Sequence, residues 1–280
     1  MSVMQNKKYA FCNCSIEIKH TTPILQKNNY SLFAADFEKG DFSIEVADTE
    51  PLPPKTGDCL FSGELNSVYL DGETKKTYSA FPIGSEQIST DFACRINNEK
   101  LYISFPYETN EFYVFEGIRL YELLLLKGIG VLHSSFIESN GKAILFAGDT
   151  KAGKSTQASL WEKYASATIV NGDRAGVFFE DGKAFAGGVP YCGTSGICLN
   201  KQMPINAIIC LSQGSKNALK RLSPIEAFMF LLGKFAYNSW DSAAVSAVSD
   251  LLTAIVETVP IYSYSCLKDE SAVQYLSERI

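Results

Sequence analysis

The chain has 280 residues, of which 46% are hydrophobic and 20% are charged, and its formal net charge is −6. These fractions are typical of a globular protein with enough chain to bury one large core or two modest ones. The negative net charge argues against a surface that binds nucleic acid or an anionic membrane without specificity. We therefore expect neither nucleic acid nor a membrane among its partners.

The targeting and redox signals of the chain point to the cytoplasm. Residues 1–25 carry several charged side chains, and the most apolar run, residues 123–126, is followed directly by Lys127. Neither segment has the form of a signal peptide or a membrane span. The eight cysteines are scattered without a C-x-x-C pair, and the chain has only two histidines. This pattern disfavours a zinc site and favours reduced thiols.

The first part of the chain reads as β-structure. Between residues 9 and 115, short alternating runs are separated by turn signals, which predicts a meandering antiparallel unit of about 100 residues. The predicted strands include residues 11–19, 42–46, 69–70, 77–80 and 101–105. A helix over residues 115–126 is expected next, ending before Gly128, a natural C-terminal cap. We accordingly divide the chain into a β-rich N-terminal unit, 1–115, and a second domain, 116–280.

The second part mixes hairpins with helices. Asn140-Gly141 and Asp181-Gly182 each predict a hairpin between two strand-like runs. The other predicted elements are a strand at 168–171, a strand at 205–211, a helix from a capping box at Ser223 to about residue 235, a helix over 241–258 ending before Pro260, a strand at 261–264 and a terminal helix from Asp269.

The most informative segment is a glycine-rich loop with the pattern G-x-x-x-x-G-K-[ST]. Such a loop wraps phosphates with backbone N–H groups, while its lysine reaches the outer phosphates and its hydroxyl binds Mg²⁺. A buried strand is predicted before it, over residues 143–147, and a helix after it, so that the helix N-terminus faces the anion. The sequence therefore predicts a site for ATP and Mg²⁺. The predicted cofactor-binding residues are Gly148, Asp149, Thr150, Lys151, Ala152, Gly153, Lys154, Ser155 and Thr156.

The order of elements also constrains the fold class. Ordinary P-loop NTPases alternate strand and helix into a parallel sheet. Here one helix follows the loop, and hairpins and short strands then take over. We therefore expect an α/β (α+β) fold in which a mixed β-sheet surrounds the loop.

Three segments beside the loop carry a family resemblance. Residues 132–135 and 140–143 precede the loop, and residues 169–173 follow the loop helix. Together with the loop they resemble the HPr kinase/phosphorylase-like proteins, whose nucleotide-binding core is shared with phosphoenolpyruvate carboxykinases. The resemblance spans residues 130–270 and is specific only in its middle third. It implies a P-loop core of that type. Residues 187–193 and 221–227 resemble relatives found in peptide-modification gene clusters.

The resemblance implies roles for individual residues. A family histidine stands fifteen residues before the first loop glycine, as His133 does before Gly148. Asp173 matches the second acid of a family aspartate pair, which makes it a catalytic candidate as metal ligand with Ser155 or as general base. Lys154 is the catalytic candidate that neutralises the β and γ phosphates. Asn-Gly-Asp is also turn chemistry, so Asp173 as a turn residue and His133 as an ordinary strand histidine stay open.

Four features depart from the family pattern. Gly172 replaces the first acid, Thr156 replaces a glutamate, and Lys151 replaces a glycine. The E-I-R-G signature, which supplies a magnesium carboxylate, has no counterpart. These departures disfavour the enzyme that phosphorylates HPr and favour a divergent kinase of the same fold.

Three functions stay open at this point. The first is an ATP-dependent phosphotransferase acting on a Ser or Thr hydroxyl of a small protein or peptide. The second is a small-molecule kinase, and the third is a non-catalytic ATP-binding accessory protein of a peptide-modification system, which the loss of the acid at Gly172 keeps open. Arg174 is a further phosphate-binding candidate, and residues 191–196 are either a substrate-gripping loop or a connector. The sequence leaves open the acceptor and whether the chain forms a homo-oligomer.

Overall fold

The computed structural model describes residues 3–27, 29–47, 50–80, 93–104 and 109–280. By their contacts the residues divide into two compact units, Met1–Leu123 and Leu124–Ile280. The sequence-based division between residues 115 and 116 stays a prediction. Within the described ranges, no helix has the length and apolar character needed to cross a bilayer.

The first unit is built on one mixed sheet. Its strands in the described ranges are β1 (Gln5–Phe11), β2 (Cys14–His20), β3 (Phe42–Ala47), β4 (Asp58–Ser62), β5 (Asn66–Asp71), β6 (Thr74–Ser79), β7 (Ala93–Ile96) and β8 (Lys100–Ile103). Their spatial order is β1-β2-β3-β8-β7-β6-β5-β4. Of the predicted strand over residues 101–105, residue 105 lies outside the described residues.

The prediction of an antiparallel meander is wrong at two pairings in this sheet. Strand β3 runs parallel to both β2 and β8, whereas the other neighbouring pairs are antiparallel. The described residues between β2 and β3 include a short 3-10 helix, Tyr30–Phe33. Local alternation encodes which face a side chain takes, but not the direction of the strand.

The single helix predicted over residues 115–126 is also wrong. Two short helices, α1 (Glu111–Gly117) and α2 (Leu120–Leu126), take its place. They are separated at Arg119, whose φ of 54° is left-handed and incompatible with a continuing right-handed helix. The Arg95 guanidinium of β7 donates to the carbonyl of Ile118 at the break and pairs with Glu122. This contact with a distant strand has no signature in helical periodicity.

The second unit contains the predicted phosphate loop. Its elements are β9 (Gly130–Ser139), β10 (Lys142–Ala147), α3 (Lys154–Ala165), β11 (Thr168–Asn171), β12 (Arg174–Glu180), β13 (Lys183–Gly188), β14 (Gln202–Gln213), β15 (Ala218–Arg221), α4 (Pro224–Leu232), β16 (Phe235–Ala236), α5 (Ser242–Thr258), β17 (Ile261–Cys266) and α6 (Glu270–Ser277). In the part of the chain that the structure describes, these nine strands form one sheet. Strand β14 runs parallel to β10 and β17, and the other pairs are antiparallel. The predicted mixed sheet is confirmed.

Local signals account for several of these elements. The hairpin turns at Asn140-Gly141 and Asp181-Gly182 are confirmed, and all four residues have positive φ, as this turn type requires. The capping box of α4 is formed by Ser223 and Glu226. Helix α5 ends at Thr258, two residues before Pro260. The eight cysteines all lie in the described ranges, and none of them forms a disulfide there.

Strands β10 and β14 lie at the centre of the second unit, between two hydrophobic cores. Phe146 and Ile209 belong to one core, together with residues of α3 and α6. Leu145 and Ile208 belong to the other, together with residues of α4 and α5. Because successive side chains of a strand point to opposite faces, a strand buried on both faces has an unbroken apolar sequence, as residues 143–147 do. The loop after β10 therefore leaves from a strand held on both sides.

Candidate functional site

The loop over residues 148–153 connects the buried end of β10 to the first turn of α3. A Cβ added to Gly148 would lie 2.9 Å from Cβ of Ala152 and 3.1 Å from the carbonyl oxygen of Leu211, so only glycine allows this close approach. Lys151 and Gly153 have φ of 67° and 105°. These left-handed residues turn the chain sharply, and the next residue, Lys154, begins the helix.

The backbone N–H groups of this loop are open to a ligand. The amide of Ala152 donates to the carbonyl of Asp149 over 3.0 Å. In the described part of the chain, the amides of Lys151, Gly153, Lys154 and Ser155 make no hydrogen bond, and α3 has no side-chain cap. Unpaired amides at a helix N-terminus attract anions through both hydrogen bonding and the helix dipole. The loop therefore has the hydrogen-bonding geometry that an anion requires.

Lys154 lies beneath this loop rather than in solvent. The residue is 9% exposed, and its ammonium donates to the carbonyl oxygens of Gly148 and Asp149 over 3.0 and 3.1 Å. Burial lowers the pKa of the Lys154 ammonium, while the negative charges of Asp173 and Asp149 oppose that shift. The positive charge is thus held at the loop, with two carboxylates near enough to affect it.

Asp173 is placed by the turn between β11 and β12, and Asn171 holds that turn. The fully buried Asn171 side chain accepts hydrogen bonds from the amides of Asp173 and Arg174, both over 2.9 Å. Its NH₂ group donates to the carbonyls of Val189 and Tyr191 over 2.9 and 2.7 Å. All four hydrogen-bonding positions of the amide are therefore occupied. The sequence prediction identified the turn but not this role of Asn171.

His133 and Arg174 flank the Asp173 carboxylate. The two residues are direct partners in the pairing of β9 with β12. Nδ1 of His133 lies 3.5 Å from Oδ1 of Asp173, and Nε of Arg174 lies 3.3 Å from Oδ2. Burial and the charge of Lys154 lower the pKa of His133, with Asp173 opposing. The imidazole is consequently neutral near pH 7 and able to take up a proton.

The segment over residues 191–196 lies against Asp173, and its closeness accounts for the glycine at position 172. A Cβ on Gly172 would lie 2.2 Å from Oγ of Ser195, and one on Gly193 would lie 2.7 Å from Cγ of Asp173. Ser195 Oγ is held by donating to the carbonyl of Cys192 over 2.7 Å. In this arrangement the position of a first acid is occupied by Ser195, and a single carboxylate stands at the strand end.

Lys234 completes the charged surroundings of the loop, and the sequence prediction missed it. Its ammonium lies 2.6 Å from Oδ1 of Asp149, and its backbone carbonyl accepts the amide of His133 over 2.8 Å. Lys234 stands between α4 and β16 without a motif around it, so no sequence signal could have found it.

The predicted site residues come together only in part. The loop, Lys154, Asp173 and His133 are connected by the contacts and electrostatic interactions above. Ser155 and Thr156 are exposed on the first turn of α3. Within the described residues, no group of three His, Cys, Asp or Glu side chains is arranged to hold a metal. The arrangement offers a phosphate loop beside one carboxylate and one neutral imidazole.

Comparison with known proteins adds a distant structural likeness. No family model matches the sequence, and no curated protein matches it. Among solved structures, the chain is similar to the Hpr(Ser) kinase/phosphatase from Coxiella burnetii at 13% sequence identity. The match covers 53% of this chain and 93% of that chain, with a TM-score of 0.31. A likeness at this score carries no argument about function, which therefore rests on the geometry of the site.

Proposed function

We propose that this chain is an ATP-dependent phosphotransferase of the HPr kinase-like type, with a P-loop core, that phosphorylates a Ser or Thr hydroxyl of a small protein or peptide. One observation carries the proposal. A loop with unpaired amides and a buried lysine lies beside Asp173 and His133, and the lysine interacts electrostatically with both. Phosphoryl transfer requires clamped phosphates, a held metal and an oriented hydroxyl.

The loop is suited to the phosphates of ATP. The amides of Lys151, Gly153, Lys154 and Ser155 are free to donate to phosphate oxygens, as described above. Apart from the neighbouring residues in the chain, no described atom lies within 4 Å of where a Cβ would stand on Gly153, so the backbone there is open to an approaching group. Among the described residues, the hydrogen-bond partners of the Lys154 ammonium are two neutral carbonyl groups. It would exchange them for charged oxygens, which form stronger hydrogen bonds.

The donor set fits a magnesium ion that arrives with the nucleotide. Mg²⁺ in nucleotide sites keeps several waters and uses one or two protein oxygens together with the substrate phosphates. Ser155 and Asp173 are the residues that would hold it here. When bound, the ion would neutralise charge on the phosphates. A single carboxylate matches this role and does not match an all-protein metal cage.

The acceptor chemistry falls to Asp173 and His133. The hydroxyl oxygen of the acceptor attacks the γ-phosphorus, the bond from that phosphorus to the β–γ bridging oxygen breaks, and ADP leaves. The hydroxyl proton passes to the Asp173 carboxylate or to the neutral imidazole of His133. General-base assistance of this kind typically contributes a factor of about 10²–10⁴. Arg174, held over the Tyr191 ring at 4.6 Å, is positioned to pair with an oxygen of the transferred phosphate.

One observation favours an alternative function, that of a non-catalytic ATP-binding accessory protein. Ser195 Oγ occupies the space that a Cβ at position 172 would need, so an acid in the first position of the family pair would displace Ser195. A site with one acid still has the loop amides and Lys154 for phosphates, yet it has fewer groups for metal and proton. Turnover therefore has to be measured separately from binding.

The test of nucleotide binding uses the full chain and two lysines of α3. ATP with Mg²⁺ at about 100 times its Kd should stabilise the wild type by about 2.7 kcal/mol, which corresponds to a rise in Tm of roughly 5–10 °C. Lys154→Ala should abolish this rise. Lys163→Ala, at the exposed end of the same helix, is the matched control and should retain it. Equal shifts in all three proteins would rule out the phosphate loop.

The test of catalysis compares two aspartates in neighbouring turns. Asp173→Asn should keep the ATP affinity within about tenfold while losing at least roughly two orders of magnitude in turnover, which is about 2.7 kcal/mol of transition-state stabilisation. Asp181→Asn, in the exposed β12–β13 turn, should leave both unchanged. Binding without turnover in the wild type, with a range of peptide acceptors, would favour the accessory protein. Full turnover in Asp173→Asn would make Asp173 a turn residue only.

A further inference from the structure

Lys234 lies outside every motif of the chain but reaches the phosphate loop. Its ammonium lies 2.6 Å from the Asp149 carboxylate, which belongs to the loop itself. The Lys234 side chain is 20% exposed, whereas that of Asp149 is 82% exposed. A mostly buried cation is thus paired with a carboxylate that projects into solvent.

The backbone of Lys234 is fixed on the side of the loop where the Asp–His pair lies. Its amide donates to the carbonyl of Leu231 over 2.8 Å, and its carbonyl accepts the amide of His133 over 2.8 Å. The next residue, Phe235, pairs with Leu132 of β9. The ammonium also lies 5.5 Å from the centre of the Phe230 ring. These contacts hold the base of the side chain in place, while its end can change partner.

The charges at the loop favour an incoming polyanion over Asp149. Burial lowers the pKa of Lys154, and the positive charge of Lys234 adds to that effect, so the two ammonium groups repel each other. The positive charge of Lys234 also opposes the rise that burial causes in the pKa of the Cys210 thiol. Cys210 of β14 pairs with Ala147, the residue before the loop. An exposed carboxylate forms only a weak ion pair because water competes for it. A phosphate oxygen carries more negative charge and would relieve the repulsion between the lysines.

We propose that Lys234 is a second phosphate-binding lysine, held by Asp149 in the nucleotide-free protein and transferred to the terminal phosphate of a bound nucleoside triphosphate. The proposal rests on the phosphotransferase function proposed above. The terminal phosphate is the expected partner because Lys234 emerges beside His133, and the phosphate to be transferred must lie between the loop and the Asp–His pair. Asp149 then turns into solvent, where its charge is hydrated. Lys234 thereby distinguishes a triphosphate from a diphosphate.

The experiment measures the Kd of the full chain for ADP and for AMP-PNP, a non-hydrolysable ATP analogue, with Mg²⁺ at one ionic strength. Lys234→Met keeps an unbranched aliphatic side chain at this position and removes the charge. It should weaken AMP-PNP binding by about tenfold or more, as for the loss of one charge-assisted hydrogen bond. ADP binding should change by less than about threefold, because the terminal phosphate is absent. Equal weakening for both ligands, or none, would overturn the proposal.

The partner carboxylate supplies a second and independent test. Asp149→Asn should bind AMP-PNP as tightly as the wild type or more tightly, because it removes the competitor for Lys234. If the ion pair only holds the loop in shape, Asp149→Asn should weaken AMP-PNP as much as Lys234→Met does, and that result would also overturn the proposal. If Lys234→Met does not fold, the Kd of Asp149→Asn decides the question by itself, because weaker AMP-PNP binding than in the wild type overturns the proposal.

Matched controls separate this inference from the proposed function. Lys220 forms an ion pair of similar length with Glu226, 2.7 Å, at the start of α4, and Lys220→Met should leave both Kd values unchanged. Lys154→Ala should lose both ligands. If Lys154→Ala behaves in this way while Lys234→Met binds normally, only the role of Lys234 fails. If the wild type binds neither ligand, the proposed function fails with it.

Discussion

Removing the Asn171 side chain should weaken both the fold and the site, because one buried amide connects the Asp173 turn to the segment leading into residues 191–196. Asn171 is 0% exposed. It accepts from the amides of Asp173 and Arg174 and donates to the carbonyls of Val189 and Tyr191. Asn171→Ala deletes all four hydrogen bonds at once and leaves a cavity the size of an amide group.

The magnitude follows from the number of bonds. A typical intramolecular hydrogen bond contributes about 1 kcal/mol net, so four of them amount to about 4 kcal/mol. Water entering the cavity would satisfy part of the exposed groups and reduce this loss. We expect the free energy of unfolding to fall by about 2–5 kcal/mol, a large part of the total stability of an ordinary domain. Turnover should fall further than the folded fraction does, because the amides of Asp173 and Arg174 each lose their hydrogen-bond partner.

The assay combines urea unfolding of the full chain with turnover under conditions where the variant is folded. Asn217→Ala is the matched control. Asn217 is only partly buried, donates to Ser271 Oγ and accepts from the amide of Leu267. Losing these two bonds should cost about 1–2 kcal/mol without a separate effect on turnover. An Asn171→Ala protein with a free energy of unfolding within about 1 kcal/mol of the wild type and normal turnover would refute the argument.

Two further predictions concern the acid and its neighbours. Gly172→Asp should lower the free energy of unfolding by about 1–3 kcal/mol, as overpacking does, because its Cβ would lie 2.2 Å from Ser195 Oγ. Ser195→Gly in the same chain should recover most of this loss in urea unfolding, and no recovery would contradict the steric explanation. Turnover should decline at acid pH, with a midpoint below the ordinary histidine pKa of about 6.5. Burial and the charge of Lys154 lower the pKa of His133, so the ring stays neutral to lower pH. A midpoint above that value would contradict this explanation. So would a decline of turnover at acid pH that is unchanged in His133→Asn.

Much of the second unit could be predicted because its signals are local. The turns at Asn140-Gly141 and Asp181-Gly182 require residues that tolerate positive φ, and both occur where expected. The capping box at Ser223 depends on residues within one helical turn. In each case the residues that interact are neighbours in the sequence, so their chemistry is visible without the fold.

The first unit contains features that local sequence signals do not predict. Strand β3 is parallel to both of its neighbours, although its sequence reads like any half-buried strand. The predicted helix breaks at Arg119, where the guanidinium of Arg95 meets the carbonyl of Ile118. Strand direction and helix breaks of this kind depend on partners far away in the chain, and periodicity carries no information about them.

The sequence by itself determined the strand, the glycine loop and the helix that follow one another over residues 142–165, because backbone conformation there depends on adjacent residues. Only the tertiary structure decided which side chains meet at that loop. Lys234 stands 85 residues from Asp149, and Ser195 stands over Gly172 through a separate loop. Strand β9 pairs with β10, β11, β12 and β16, and these pairings bring His133, Asp173 and Lys234 to one place. Contacts between such distant residues arise from packing of the whole sheet, since no short segment contains both partners.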